Sequence, residues 1–165
     1  MDLPIQNLAV VGAGAMGSGI AALFASRGVN VVLIDPVAGA LERATATIER
    51  QLGVYAPDAV QESLRRIRLD PGLEAACGSE LVIEAVPEKL DLKRDIFTRL
   101  DTLCPAHTIF ATNTSGLSIN AIAESVTRRD RFVGTHFFTP ADVIPLVEVV
   151  RCDETSTATV ERVMD

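Results

Sequence analysis

The sequence predicts a doubly wound α/β fold, a mostly parallel sheet with helices on both faces. Apolar runs alternate with helix-period stripes along nearly the whole chain, and several of those runs are unbroken by polar residues. Such runs belong to strands covered on both faces, and regular alternation of strand and helix is the pattern of a parallel sheet. The 165 residues suffice for one domain with a sizeable core.

Ile5–Val11 reads as the first strand. Met16, Ile20, Leu23 and Phe24 then fall on one helical face, and Gly28 can end that helix. Asn30–Ile34 is an apolar strand, and Leu41, Thr45, Ile48 and Leu52 mark the next helix. Across Asp58–Leu69 the pattern gives a helical turn or two, then a short strand at Ile67–Leu69. Leu81–Ala85 is a buried strand. Leu92, Ile96, Leu100 and Leu103 form a helix that Pro105 helps to terminate. Thr108–Thr112 is a strand, Ser118–Val126 a helix and Arg131–Phe138 a strand. Pro145 precedes a last strand at Leu146–Val150. At the end, Thr155–Asp165 looks like a helix just beginning, with Thr155, Ser156 or Thr157 as N-cap. It stops without a closing signal, which suggests a piece of a longer chain.

Composition narrows the function classes. Hydrophobic residues make up 48% and charged residues 22%, as in globular proteins. No apolar run approaches the roughly 20 residues of a membrane span, and the start MDLPIQNLAVV lacks the pattern of a secretory signal. The net charge of −7 disfavours a nucleic-acid partner. Cys77, Cys104 and Cys152 are widely spaced and odd in number, so neither a disulfide framework nor a metal site is expected. A reducing cytoplasm fits that usage.

Gly12-Ala13-Gly14-Ala15-Met16-Gly17 is GxGxxG. By itself the motif also describes ordinary glycine turns. Here it follows a strand, opens a helix and leads to an apolar strand ending at Asp35, which is the Rossmann-type fingerprint. Gly12 permits the tight turn, Gly14 lets a pyrophosphate approach the backbone, and Gly17 lets helix and sheet pack closely. Met16 belongs to the same turn. Asp35, 18 residues past Gly17, can accept a hydrogen bond from a ribose 2′-OH. Its charge would repel a 2′-phosphate, so NAD is expected rather than NADP. A strand-capping Asp beside a structural turn, or an S-adenosylmethionine site, are the competing readings.

Of two histidines, His107 lies in the loop Pro105-Ala106-His107 and reads as a surface residue. His136 sits near the end of an apolar strand, where parallel sheets border their ligand crevice. A core histidine satisfied by a neighbour is the ordinary reading of such a residue. Against it, Glu148 interrupts the run Leu146–Val150, an expensive place for a carboxylate without a partner. The loop Thr112-Asn113-Thr114-Ser115 adds hydroxyl and amide groups after another strand. A His held by a carboxylate suits removal of an alcohol proton. Both readings stand on the residues alone.

The blocks GAGAMGSGIA, IEAVPEKLDLKRDIF, ATNTSGLSI and HFFTPADVIPLVEVV resemble the NAD-binding domain of the L-3-hydroxyacyl-CoA dehydrogenases, in order from Leu8 to Val150. The resemblance implies reversible oxidation of a 3-hydroxyacyl thioester with NAD, as in fatty-acid β-oxidation. It makes His136 the base of the HFFNP motif, Glu148 its orienting carboxylate and Ser115 a hydrogen-bond partner of the substrate oxygen. Glu88 and Lys93 match groups that approach the cofactor or coenzyme A, and Asn113 a group at the nicotinamide end. Thr139 replaces the Asn of HFFNP, exchanging an amide contact for a hydroxyl, and Gly116 replaces the second Ser of TNTSS. After Asp35 only Arg43 and Arg50 are basic before Arg65, so the family's coenzyme A contacts are unmatched. The resemblance also implies a C-terminal helical domain, not present in these residues, through which the complete protein forms a homodimer. A dehydrogenase of a free hydroxy acid (gulonate or carnitine type) and a non-catalytic NAD-binding module are the alternatives.

Overall fold

A computed structural model describes residues 4–165 apart from 142 and 145. The expectation on Pro145 therefore lies outside the described residues. Seven strands form one sheet in the order β3-β2-β1-β4-β5-β6-β7: β1 (Asn7–Val11), β2 (Asn30–Ile34), β3 (Ile67–Asp70), β4 (Leu81–Glu84), β5 (Ile109–Thr112), β6 (Phe132–Phe137) and β7 (Val147–Arg151). All pairings are parallel except β6 with β7. Between them run α1 (Ala15–Ser26), α2 (Ala40–Tyr55), α3 (Val60–Arg65), α4 (Leu90–Leu103) and α5 (Ile119–Ala123), and α6 (Thr157–Met164) follows β7.

Side chains alternate across a strand, and β1 shows the consequence. Leu8 and Val10 join Ile20, Leu33, Ile48 and Leu52 in the core under α1 and α2. Ala9 and Val11 face the opposite way, into a second core with Phe97, Phe110, Ile122 and Phe132 under α4 and α5. Within it, the rings of Phe97 and Phe132 meet edge to face at 4.8 Å. Burial on both sides explains why these strands read as continuous apolar runs.

The elements follow the sequence closely, and the differences have local causes. β1 begins at Asn7 rather than Ile5, because Glu80 accepts the N–H groups of Gln6 and Asn7 at 2.8 and 3.0 Å before the ladder starts. A 3₁₀ segment at Leu73–Gly78 was not anticipated; its short apolar residues Leu73 and Ala76 carry no helical period. α5 stops at Ala123, since Ser125 and Val126 donate to Ile122 and Ala123 and tighten the final turn. Of the three candidate caps for α6, Ser156 accepts the Thr159 N–H at 3.1 Å. Thr155 is instead buried, donating to the Phe132 carbonyl at 2.6 Å. β7 is an exposed antiparallel edge, not another covered strand.

Among the described residues no helix is long and apolar enough to cross a membrane. Three free cysteines are Cys77, Cys104 and Cys152. Burial, with Cys77 beside it, pushes the Cys104 thiol up to about 12.

Asp101 joins α4 to the segment before β6. Its carboxylate accepts the Thr127 N–H and hydroxyl at 2.9 and 2.7 Å and pairs with Arg128 at 2.9 Å. Burial alone would raise its pKa, but the Thr127 bonds and the Arg128 charge outweigh it and lower the value. A depressed carboxylate contributes stability above its unfolded pKa of roughly 4, lost as pH falls through the folded value. Asp101→Asn is expected to cost about 1–3 kcal/mol near neutrality. Its deficit against the native protein should shrink on acidification below about pH 4, as read from urea melts at several pH values.

Candidate functional site: a dinucleotide cleft and a histidine–glutamate pair

The strand order reverses at β1, whose neighbours β2 and β4 lead off in opposite directions, and ligands of such sheets bind at that crevice. The glycine turn lies there. Gly12 has φ +104°, a conformation that favours glycine, and a Cβ on it would stand 2.7 Å from the Ala85 carbonyl oxygen. A Cβ on Gly17 would stand 1.8 Å from the carbonyl oxygen of Gly12. Both glycines are therefore demanded by the protein's own packing. Gly14 is different. A Cβ there would meet nothing within 4 Å, so the protein leaves open the space that a bound phosphate would fill. Gly14 is the N-cap of α1, and a helix N-terminus favours an anion.

Asp35 follows β2 and turns back toward this loop. One carboxylate oxygen accepts the Ala13 N–H at 2.8 Å and the other the Val37 N–H at 2.9 Å. Each oxygen retains acceptor capacity for a ribose hydroxyl. Gly12, Gly14, Met16 and Asp35 line one cleft of about 770 Å³, closed on its other sides by Leu73, Leu92 and Ile96. Those three apolar walls were not picked out as ligand contacts from sequence, because their spacing is that of ordinary core residues.

The second group lies at the ends of β5 and β6. His136 and Glu148 are direct partners across the β6–β7 ladder, and Nδ1 of His136 lies 2.9 Å from a Glu148 oxygen. An ionised carboxylate only accepts, so in the neutral imidazole Nδ1 carries the hydrogen toward Glu148 and Nε2 keeps a lone pair. The side chains are 24% and 57% exposed. Glu148 is thus not the buried carboxylate its apolar neighbours suggested; on an edge strand it stays solvated and still finds its partner. Asn113 accepts the Phe137 N–H at 3.0 Å, tying the β5 loop to β6. Thr139 donates to the Met16 sulfur at 3.1 Å, which links this group to the glycine turn. His107 is exposed.

Between β4 and β5 the structure joins Glu88, Lys93 and Ser115, which the sequence singled out, to Glu84, which it did not. Lys93 is 0% exposed and bonds the equally buried Glu84 at 2.7 Å. Thr112 donates to the other Glu84 oxygen at 2.6 Å, and burial nonetheless pushes the Glu84 carboxyl up. Lys93 also lies 3.4 Å from Glu88. Glu88 accepts the Thr114 hydroxyl and the N–H groups of Ser115 (3.0 Å) and Gly116 (3.3 Å). Burial opposes ionisation of Glu88, but these bonds and Lys93 prevail and lower its pKa. The Lys93 ammonium is enclosed, with Glu84 beneath it as the buried counter-charge. Ser115 is exposed beside Glu88. Among the described residues no cluster of His, Cys, Asp or Glu could hold a metal ion.

A reversed parallel sheet with an open glycine turn and an acceptor after β2 defines a dinucleotide-binding domain. The chain matches the family model of the 3-hydroxyacyl-CoA dehydrogenase NAD-binding domain over residues 7–165, and it belongs to that family, with NAD as cofactor. It is 40% identical to the mitochondrial hydroxyacyl-coenzyme A dehydrogenase of Rattus norvegicus, over 98% of this chain and 55% of that protein. It is 39% identical to the 3-hydroxybutyryl-CoA dehydrogenase of Clostridioides difficile, over 97% of this chain and 59% of that protein. The crystal structure of 3-hydroxybutyryl-CoA dehydrogenase from Escherichia coli superposes with a TM-score of 0.92 at 40% identity, covering 97% of this chain and 35% of that one. The chain therefore spans about half the length of the rat relative, or less for the bacterial structure.

The glycines separate packing from binding. Gly14→Ala should leave the melting temperature near native yet weaken NADH binding by about tenfold or more, whereas Gly17→Ala should unfold the domain. Titration by NADH fluorescence beside a thermal melt checks both. With Asp35 in place, NADPH is expected to bind at least about tenfold more weakly than NADH, and Asp35→Ala should narrow that gap.

Proposed function

We propose that this protein interconverts a 3-hydroxyacyl-CoA and the corresponding 3-ketoacyl-CoA, and that this chain is its cofactor half. The observation that carries the reading is the His136–Glu148 contact of 2.9 Å at the crevice end of β6. The names of its relatives, hydroxyacyl-coenzyme A and 3-hydroxybutyryl-CoA dehydrogenases, support the substrate class.

NAD, when bound, supplies the hydride acceptor. The residues of this chain handle the proton and the geometry. Nε2 of His136 takes the proton of the 3-hydroxyl as the carbon loses hydride, and the carbonyl forms. Glu148 holds the ring through Nδ1 and stabilises the imidazolium that results. Ser115 donates to the substrate oxygen, while Asn113 and Thr139 keep the β5 loop, β6 and the glycine turn in register. Gly12, Gly14, Met16, Gly17 and Asp35 seat the adenosine and pyrophosphate portion, with Glu88 toward the reacting end. A second, helical domain would complete the substrate cleft, exclude water and join two copies into a homodimer. The free cysteines favour a reducing compartment such as the cytoplasm.

A second reading, a free hydroxy acid as substrate, draws on α2. Its basic residues are Arg43 and Arg50, few for gripping coenzyme A. The complete protein should reduce acetoacetyl-CoA with NADH in preference to free acetoacetate, followed as loss of NADH absorbance. His136→Gln is expected to lower kcat by about 10²–10⁴-fold. Native turnover in that variant removes the base from the reading, and preference for the free acid transfers the substrate to the second one.

A further inference from the structure

The Glu84–Lys93 pair is buried at the heart of the domain. Removing one partner of such a pair leaves an uncompensated buried charge, and an apolar pair of similar volume is often as stable. What the charges provide here is direction. An ammonium has three donors, and Lys93 has three acceptors around it: Glu84 at 2.7 Å, the Val86 carbonyl at 3.4 Å and Glu88 at 3.4 Å. Its position is determined on three sides.

The two carboxylates it joins hold opposite ends of one loop. Glu84 accepts from Thr112, the last residue of β5, from which the loop departs. Glu88 accepts from Thr114, Ser115 and Gly116 at the loop's tip. Asn113, between them, accepts from the amide next to His136. Lys93 bridges the two carboxylates and so ties the tip of the loop to its root.

We infer that Glu84 is a positioning residue: through Lys93 and Glu88 it sets the place of the Thr112–Gly116 loop, and hence of Ser115 relative to His136. The inference rests on the proposed roles of Ser115 and His136. Glu84 is not among the residues that line the dinucleotide cleft. Its carboxylate also accepts the Val86 N–H at 2.7 Å, and it reaches the loop tip through Lys93 and Glu88.

The test compares the native chain, Glu84→Gln, and the double variant Glu84→Gln/Lys93→Met. Hydrogen exchange at the amides of Ser115 and Gly116 should quicken by about tenfold or more in Glu84→Gln. In the complete protein kcat should fall by about tenfold or more, as expected of a displaced substrate contact. The double variant should regain melting temperature but neither the slow exchange nor the turnover, a split that a purely structural role would not produce. Native exchange at Ser115 and Gly116 in Glu84→Gln overturns the inference, as does a double variant that regains turnover with stability. If Glu84→Gln does not fold, Thr112→Val removes one bond at nearly constant volume and should loosen the same two amides; unchanged exchange there overturns the inference. Exchange is read without substrate, so a native protein inactive on thioesters overturns the proposed function while the exchange result still decides the loop.

Discussion

The contact on which the rest of this structure depends is between two glycines. A Cβ on Gly17 would lie 1.8 Å from the carbonyl oxygen of Gly12, so α1 reaches its seat only because Gly17 lacks a side chain. With α1 seated, Ile20 and Ala21 enter the core beside Val10 and Leu33. The N-terminus of the helix then points at open space over Gly14. The same close approach that packs the domain thereby creates its anion site, with Asp35 drawn in by the Ala13 amide at 2.8 Å.

A second constraint governs the other half of the crevice. Six strands run parallel, and β7 returns antiparallel beside β6. That reversal sets Glu148 opposite His136 in the ladder, where their side chains share a face at hydrogen-bonding distance. A parallel strand could not have brought the two together across so short a connection. The edge position also keeps Glu148 hydrated, so the pair is assembled without the desolvation cost of a buried charge. The cost of burial is borne elsewhere, by Glu84 and Lys93, whose ammonium is surrounded by three acceptors.

These two carboxylates show where sequence reasoning succeeds and where it slips. Glu148 drew notice because it interrupts an apolar run, and the inference of a partner was sound although its premise of burial was not. Glu84 ends the run Leu81–Glu84 in the same way and is the one that is buried. Apolar flanks tell of strand formation but not of the strand's place in the sheet. Only that place distinguishes an exposed edge from a covered centre. Lys93 likewise sits on a helix that reads as amphipathic, and its enclosure follows from Glu84 lying beneath it, which no helical period records.

What the sequence determined by itself was whatever depends on near neighbours in the chain. The alternation of strands and helices, the glycine turn and Asp35 after β2 are set by local spacing and residue type. The family resemblance in ordered blocks named His136, Glu148, Ser115 and Asn113 as a group, and the structure brings His136 to Glu148 and Asn113 to the amide beside it. Left to the tertiary structure were burial, strand direction and the sharing of partners. The 3₁₀ segment at Leu73–Gly78, the edge position of β7 and the Lys93 network arise from contacts between residues distant in sequence, and their energies depend on surroundings that composition and period do not encode.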